Sequence, residues 1–272
     1  MVSSELIKNI QLPQTNNYYE LDSADGYAYL GYALKKIGED YSECMSKVIE
    51  KKYRLNADKS VPTKRKVYKN TNYTYTLSVC IDFFNVIEDK KTLSELYEII
   101  KNIGFYKNCD MFRYCDTEIE YGVPNVTSGA AYVFAMMGDL VNATKCINYL
   151  RSTQHNGNWY YYRINSGVTK LLIKEDSFHL AMMVFHLRMV EKLLNIYTDD
   201  IYMSSVDELN NLNVNNLSLG SIGWGIPMLY LATKGIGGNL NKRSYNELIE
   251  KSINHKNFRV RGLSAFCLTK EI

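Results

Sequence analysis

One phrase recurs along this chain and constrains its fold more than anything else: a helix, a glycine, an acidic residue and a second helix. From Asp22, the stretch DSADGYAYLGYALKKIG sets Tyr27, Leu30, Leu34 and Ile37 three and four residues apart, the spacing of one helix face. Gly38 ends it, and Glu39-Asp40 opens a second helix through Met45, Val48 and Ile49. The phrase returns at TSGAAYVFAMMG, where Gly138 ends one helix and Asp139 caps another through Ala143, Cys146, Ile147 and Leu150. Glycine just past one helix and a carboxylate at the head of the next is the chemistry of a tight helical hairpin.

Further pairs follow from apolar spacing, without the glycine in every turn. One runs from Thr71 to Asp89 and then Leu93 to Ile103; another from Asp176 to Leu194 and then Asp200 to Leu212. A fifth spans Leu219 to Lys234 and Ser244 to Ile253, and a last helix runs from Phe258 to Leu268. First helices starting near 22, 71, 126, 176 and 219 give a period of about fifty residues, the range of repeated helical units. First helices such as SGAAYVFAMMG, SFHLAMMVFHL and SIGWGIPMLYLA are small and apolar on most faces, which marks a helix buried all round. Second helices such as LSELYEIIKNIG and SYNELIEKSIN carry one apolar stripe and a charged back, which marks a helix facing water. An inner and an outer layer follow, so the expected fold is all-α: one α/α toroid over residues 1–272, its ring either closed or incomplete. The long polar and aromatic loops Phe105 to Asn125 and Gln154 to Lys174 are the places for function or a lid.

Composition fits this fold and narrows the function. With 46% hydrophobic residues a chain of 272 can bury a large core, and four prolines suit a helical protein. A net charge of +3 is too mild for nucleic acid. The basic run Lys59, Lys64, Arg65, Lys66 and Lys69 interleaves with only Tyr68 and reads as a solvated loop. No apolar run approaches the roughly twenty residues of a membrane span, and the N-terminus has neither a basic nor an apolar signal region. A cytoplasmic protein with six reduced cysteines is expected. The pairs Cys109-Asp110 and Cys115-Asp116 offer zinc ligands with His155 or His179, but their spacing fits no standard site, so neither metal nor cofactor is expected.

The sharpest local signal is Tyr149-Leu150-Arg151-Ser152-Thr153-Gln154-His155-Asn156-Gly157-Asn158-Trp159. It resembles the QW repeat of triterpene cyclases: an aromatic, Leu, three residues, Gln, a short gap, then Gly-x-Trp. Similar turns occur in protein prenyltransferase β-type chains, the complement thioester domain and six-hairpin glycosidase-like proteins. The resemblance covers about Asn125 to Glu191 and speaks to fold more than to activity. Structurally, the Gln154 amide can bond a helix end and the Trp159 indole can stack on the turn; the alternative is contact with a ligand.

Next, Lys174-Glu175-Asp176-Ser177-Phe178-His179 opens the most apolar helix of the chain. Glu175 and His179 are four apart and Asp176 and His179 three apart, so each pair shares a helix face. A carboxylate beside an imidazole raises its pKa and fixes its tautomer. From Trp159 through Tyr160-Tyr161-Tyr162 to this start, the chain resembles six-hairpin glycosidase relatives, in which an acid and a His open an inner helix after a Gly-x-Trp turn. That resemblance implies catalytic roles for Glu175, Asp176 and His179. The plainer alternative is a capping carboxylate and a partly buried His.

Asp22 and Asp25 open the first hairpin, Asn125 and Thr127 the third, and Ser221 and Trp224 the fifth. If the inner helices share one rim, carboxylates for acid–base work would meet there. Asp22 and Asp25 join the catalytic candidates, with Asn125, Trp159, Tyr160, Tyr161 and Trp224 as substrate-binding ones, although both aspartates also suit a helix dipole. Missing are the Asp-x-Asp-Asp acid of hopene cyclases, a diphosphate box, the Cys-His-Gly ligands of lanthionine cyclases, a P-loop and GxGxxG. The leading expectation is a carbohydrate-active toroid, leaning to a glycoside hydrolase or lyase, with a glycan or other small molecule as partner rather than nucleic acid or membrane. The alternatives are a scaffold binding a protein or peptide in its concave face and a prenyl or terpenoid site. The sequence leaves the oligomeric state open.

Overall fold

Helices form where the apolar spacing predicts them. The computed structural model describes residues 4–13, 23–54, 71–117, 121–164, 169–211, 219–236 and 242–272, and these hold twelve helices. A short α1 (Ser4–Lys8) precedes five pairs: α2 (Ala24–Lys36) with α3 (Ser42–Glu50), α4 (Thr74–Val86) with α5 (Lys90–Ile103), α6 (Pro124–Met136) with α7 (Leu140–Thr153), α8 (Ser177–Leu194) with α9 (Asp199–Asn210), and α10 (Leu219–Thr233) with α11 (Lys242–Ile253). The last helix is α12 (Phe258–Thr269). The turns use the predicted chemistry: Gly38 and Gly138 take positive φ angles of 78° and 72°, a region open to glycine without strain. Asp89 and Asp139 cap α5 and α7 by accepting the Thr92 and Asn142 backbone N–H groups at 3.1 Å.

The first helices make the inner layer. Each of α2, α4, α6, α8 and α10 packs on the next inner helix, and α12 packs back on α2, so the ring is closed. The protein is an all-α toroid. Its inner layer has six helices and its outer layer five, since no outer helix follows α12 among the described residues. In α6 twelve of thirteen residues are buried, from Pro124 through Ala135, whereas α5 buries only Leu96, Ile100 and Ile103. The α2–α12 seam is close because glycines face each other: a Cβ on Gly262 would stand 2.5 Å from the Gly26 carbonyl oxygen. Phe83, Phe84, Phe112 and Phe134 are wholly buried in the core, each contributing about 1.5–3 kcal/mol by leaving water.

The second long loop is not irregular. Tyr160–Arg163 (β2) and Thr169–Lys174 (β3) form an antiparallel hairpin, and Tyr121–Gly122 (β1) pairs with β2 in the register Gly122 to Tyr162. This three-stranded patch is not a central sheet. β1 leads into α6 and β3 into α8, so it stands on the rim where inner helices begin. Of the described helices, none is long and apolar enough to cross a membrane.

Candidate active site

Helical periodicity carries one face of each inner helix from this rim toward the axis. On α8 the stripe is Glu175, just before the helix, then His179, Met182 and His186; on α6 it is Asn125, Ser128 and Tyr132. On α4 it is Tyr75, Ser78 and Asp82, and on α2 it is Asp25, Tyr29 and Tyr32. The lower members enclose a cavity of about 20 Å³, room for one water, lined by Tyr29, Tyr75, Ser78, Val79, Asp82, Tyr132, Met182, Phe185, His186, Met228 and Phe266. The upper members form the mouth above it.

The floor is locked. Lys270 Nζ lies 2.7 Å from both Asp82 oxygens and 2.7 Å from the Tyr132 hydroxyl, which donates to Asp82 Oδ2 at 2.9 Å. His186 stacks on Tyr132, and its Nδ1 is 3.0 Å from Ser128 Oγ. Burial, and then the Lys270 charge, push its pKa down to about 3, so the imidazole is neutral. An aromatic cavity with an acid at its base is what a terpenoid site would need. Here the acid is ion-paired and the space is that of a water.

At the mouth, Glu175 is 3% exposed. Its backbone N–H donates to the Trp159 carbonyl at 3.0 Å, and Oε1 accepts the Asn125 N–H at 3.3 Å. Oε2 is buried without a hydrogen-bond partner and stands 3.5 Å from His179 Nδ1, an ion pair only when the imidazole is protonated. Burial, with Asp176 beside it, raises the carboxyl to about 7 against the opposing pull of His179, the Asn125 N–H and Tyr161. Asp176 behaves differently. Burial alone would raise its pKa, but His179 and the backbone N–H groups of the first turn outweigh that and hold it low. Its Oδ1 caps α8 by accepting the His179 N–H at 2.9 Å and stands 3.1 Å from the His179 ring. The Tyr161 hydroxyl lies 3.5 Å from the same Nδ1.

The other candidates scatter. Asp25 is fully buried, bonded by Ser23 and ion-paired to Arg259, which lies over the Tyr75 ring at 5.3 Å. That closed pairing removes Asp25 from acid–base duty. Trp159 is also fully buried, with its indole N–H donating to the Leu150 carbonyl at 2.9 Å, so it cannot stack on a ligand and instead holds the turn under Glu175. The Gln154 amide bonds the Ile201 carbonyl, tying that turn to α9. Tyr160 is half-buried on β2 with Lys170 4.1 Å over its ring. Asn125 is 4% exposed, with Nδ2 3.8 Å from Met182 Sδ and Oδ1 unpartnered. Asp22 and the Trp224 side chain lie outside the described residues. Cys109-Asp110 and Cys115-Asp116 diverge: Asp110 pairs with Lys145, Asp116 with Asn72, and the Cys115 thiol with Thr117. No group of three or more His, Cys, Asp or Glu is arranged for a metal among the described residues.

Sequence reasoning missed Arg259. It stands in the first turn of α12, the position that singled out candidates on the other inner helices, and that position was its signal. Lys270 had none, since nothing local tells that a lysine ending a chain segment turns into a ring 188 residues from its partner.

The fold and this mouth define an α/α toroid with a polar, partly protonated rim. Among solved structures, the chain is similar to a family 76 glycoside hydrolase from a bovine Bacteroides thetaiotaomicron strain, with a TM-score of 0.60 over 93% of this chain and 67% of that one. The identity is 10%, so the likeness is one of fold. No protein-family model and no curated protein matches the sequence.

Proposed function

We propose that this protein cleaves a glycan by general acid–base chemistry at the mouth of the ring. The observation that carries the reading is the pair of adjacent carboxyl groups, Glu175 and Asp176, whose surroundings push their pKa values in opposite directions. Near neutral pH Glu175 keeps a proton to give to the glycosidic oxygen as the bond to the anomeric carbon breaks. Asp176, ionised and exposed beside His179, accepts the proton of the water that adds to that carbon. Tyr161 and His179 orient the two carboxyl groups. Similarity of fold to a glycoside hydrolase supports this reading. Closure of the ring of described inner helices supports this reading over an open, groove-bearing scaffold.

The test is release of reducing ends from a panel of α- and β-linked oligosaccharides. Wild type should cleave one class, while Glu175→Gln and Asp176→Asn each lose about 10²–10⁴-fold in rate. No cleavage of any member by wild type, or full activity in Glu175→Gln, removes the proposal.

A further inference from the structure

On the wall of the axial cavity, one hydrogen-bond donor and one acceptor are left over. The acceptor is on His186. Ser128 has a single hydroxyl hydrogen, which goes to the Asn125 carbonyl at 2.8 Å. His186 Nδ1, 3.0 Å from the same Ser128 oxygen, is therefore the donor of that second bond. Burial keeps the imidazole neutral, so Nε2 carries a lone pair. The Nδ1 and Cε1 edge of the ring faces Ser128 and Gly129 of α6, which leaves Nε2 as the polar atom that His186 offers the cavity it lines.

The donor is on a pair of tyrosines. Tyr29 and Tyr75 line the same cavity and bond one another through their hydroxyls. Two phenols bring two hydrogens, and the bond between them uses one. The other polar groups of the lining have placed theirs: Ser78 donates to the Tyr75 carbonyl at 2.7 Å, Tyr132 donates to Asp82, and Asp82 takes Lys270 on both oxygens. One phenol hydrogen and one imidazole lone pair remain, with no bond joining them among the described residues. Buried polar groups are nearly always satisfied, so something that both accepts and donates belongs between them.

We infer that the axial cavity is a binding site for one water molecule, which accepts the spare phenol hydrogen and donates to His186 Nε2. At about 20 Å³ the cavity exceeds the roughly 10–15 Å³ that a water needs. The second hydrogen of the water has lone pairs on Ser78 and Tyr132 to meet. An ammonium ion has no lone pair for the phenol hydrogen, and an apolar atom would answer neither group. The water ties His186 of α8 to the tyrosines of α2 and α4, and the Ser128 bond extends the chain to α6. Four inner helices then meet through one molecule, and the chain ends on the carbonyl of Asn125, whose N–H holds Glu175 at the mouth.

A crystal structure of the full chain at atomic resolution should show one ordered water about 2.7–3.2 Å from His186 Nε2 and from one of the two phenol oxygens. Nitrogen-15 NMR of His186 should show the tautomer with hydrogen on Nδ1. His186→Phe, of similar size but without a lone pair, should lose the water. His186→Gln, whose amide oxygen can stand where Nε2 does, should keep it. A dry cavity that takes up xenon in pressurised crystals overturns the inference. So does a water out of reach of either group, hydrogen on Nε2, or a water that stays in His186→Phe. If His186→Phe does not fold, the tautomer and the wild-type crystal decide between them.

Discussion

Asp82 and Glu175 are both carboxylates on the inward side of the ring, and both are almost out of water, yet their surroundings are opposite. Asp82 has an ammonium on both oxygens and a phenol besides. Glu175 has one long bond from the Asn125 backbone N–H, and its second oxygen faces only the His179 ring at 3.5 Å, with the Tyr161 hydroxyl nearby. A buried polar network that is fully answered fixes a structure, and one left half-answered is open to a ligand. The floor of the ring therefore reads as architecture and the mouth as chemistry.

The largest expected effect falls on the floor. Lys270→Met leaves Asp82 buried without its cation and should lower stability by about 3–5 kcal/mol in urea unfolding. The double variant Asp82→Leu with Lys270→Met should recover most of that loss, because apolar side chains of similar size satisfy themselves. If Lys270→Met unfolds at the wild-type midpoint, the lysine does not hold Asp82 and the contrast between floor and mouth fails.

Trp159→Ala should cost about the same, roughly 3–5 kcal/mol, since it empties a fully buried site and orphans the Leu150 carbonyl. It also loosens the turn whose carbonyl anchors Glu175. A thermal unfolding curve matching wild type would mean the turn is not a structural support for the mouth.

These two cases show what the sequence could convey. Layering was legible because burial all round writes itself as apolar residues on every face, as in α6 and α8, and hairpin turns because Gly138 and Asp139 act locally. The acid–His start of α8 was legible through its spacing alone. The fates of Asp22's neighbour Asp25 and of Asp82 were not, because Arg259 and Lys270 are 234 and 188 residues away and no local pattern specifies them. The β2–β3 hairpin lies in what the sequence marks only as a long loop: its run of tyrosines suits a strand, but the alternation is too short to show a buried face.

At the mouth the sign of the effect should invert. Glu175 has its folded pKa raised from 4.5 to about 7, so the folded state holds a proton that the unfolded state releases between those values. Stability from this group is complete below about pH 4.5 and is lost as pH rises through 7. Glu175→Gln removes that loss and should stabilise the protein at pH 8 by about 1–3 kcal/mol, with little change at pH 4. Denaturant midpoints measured across pH decide it. A Glu175→Gln variant less stable than wild type at pH 8 would place Glu175 with Asp82, as a structural carboxylate.

The smallest effect concerns Asp176, which has two duties that two substitutions separate. As the cap of α8 it accepts the His179 N–H, so Asp176→Ala should cost about 1 kcal/mol of stability. Asparagine caps about as well as aspartate, so Asp176→Asn should change stability by only a few tenths of a kcal/mol. Its charge is then missing while the helix start stays intact. In the acid–base reading, turnover falls in Asp176→Asn although its unfolding curve overlays wild type. Full turnover in Asp176→Asn would leave Asp176 a cap and nothing more. The base would then have to be His179, which shares its face with Glu175, and His179→Ala would become the variant that loses activity with the fold unchanged.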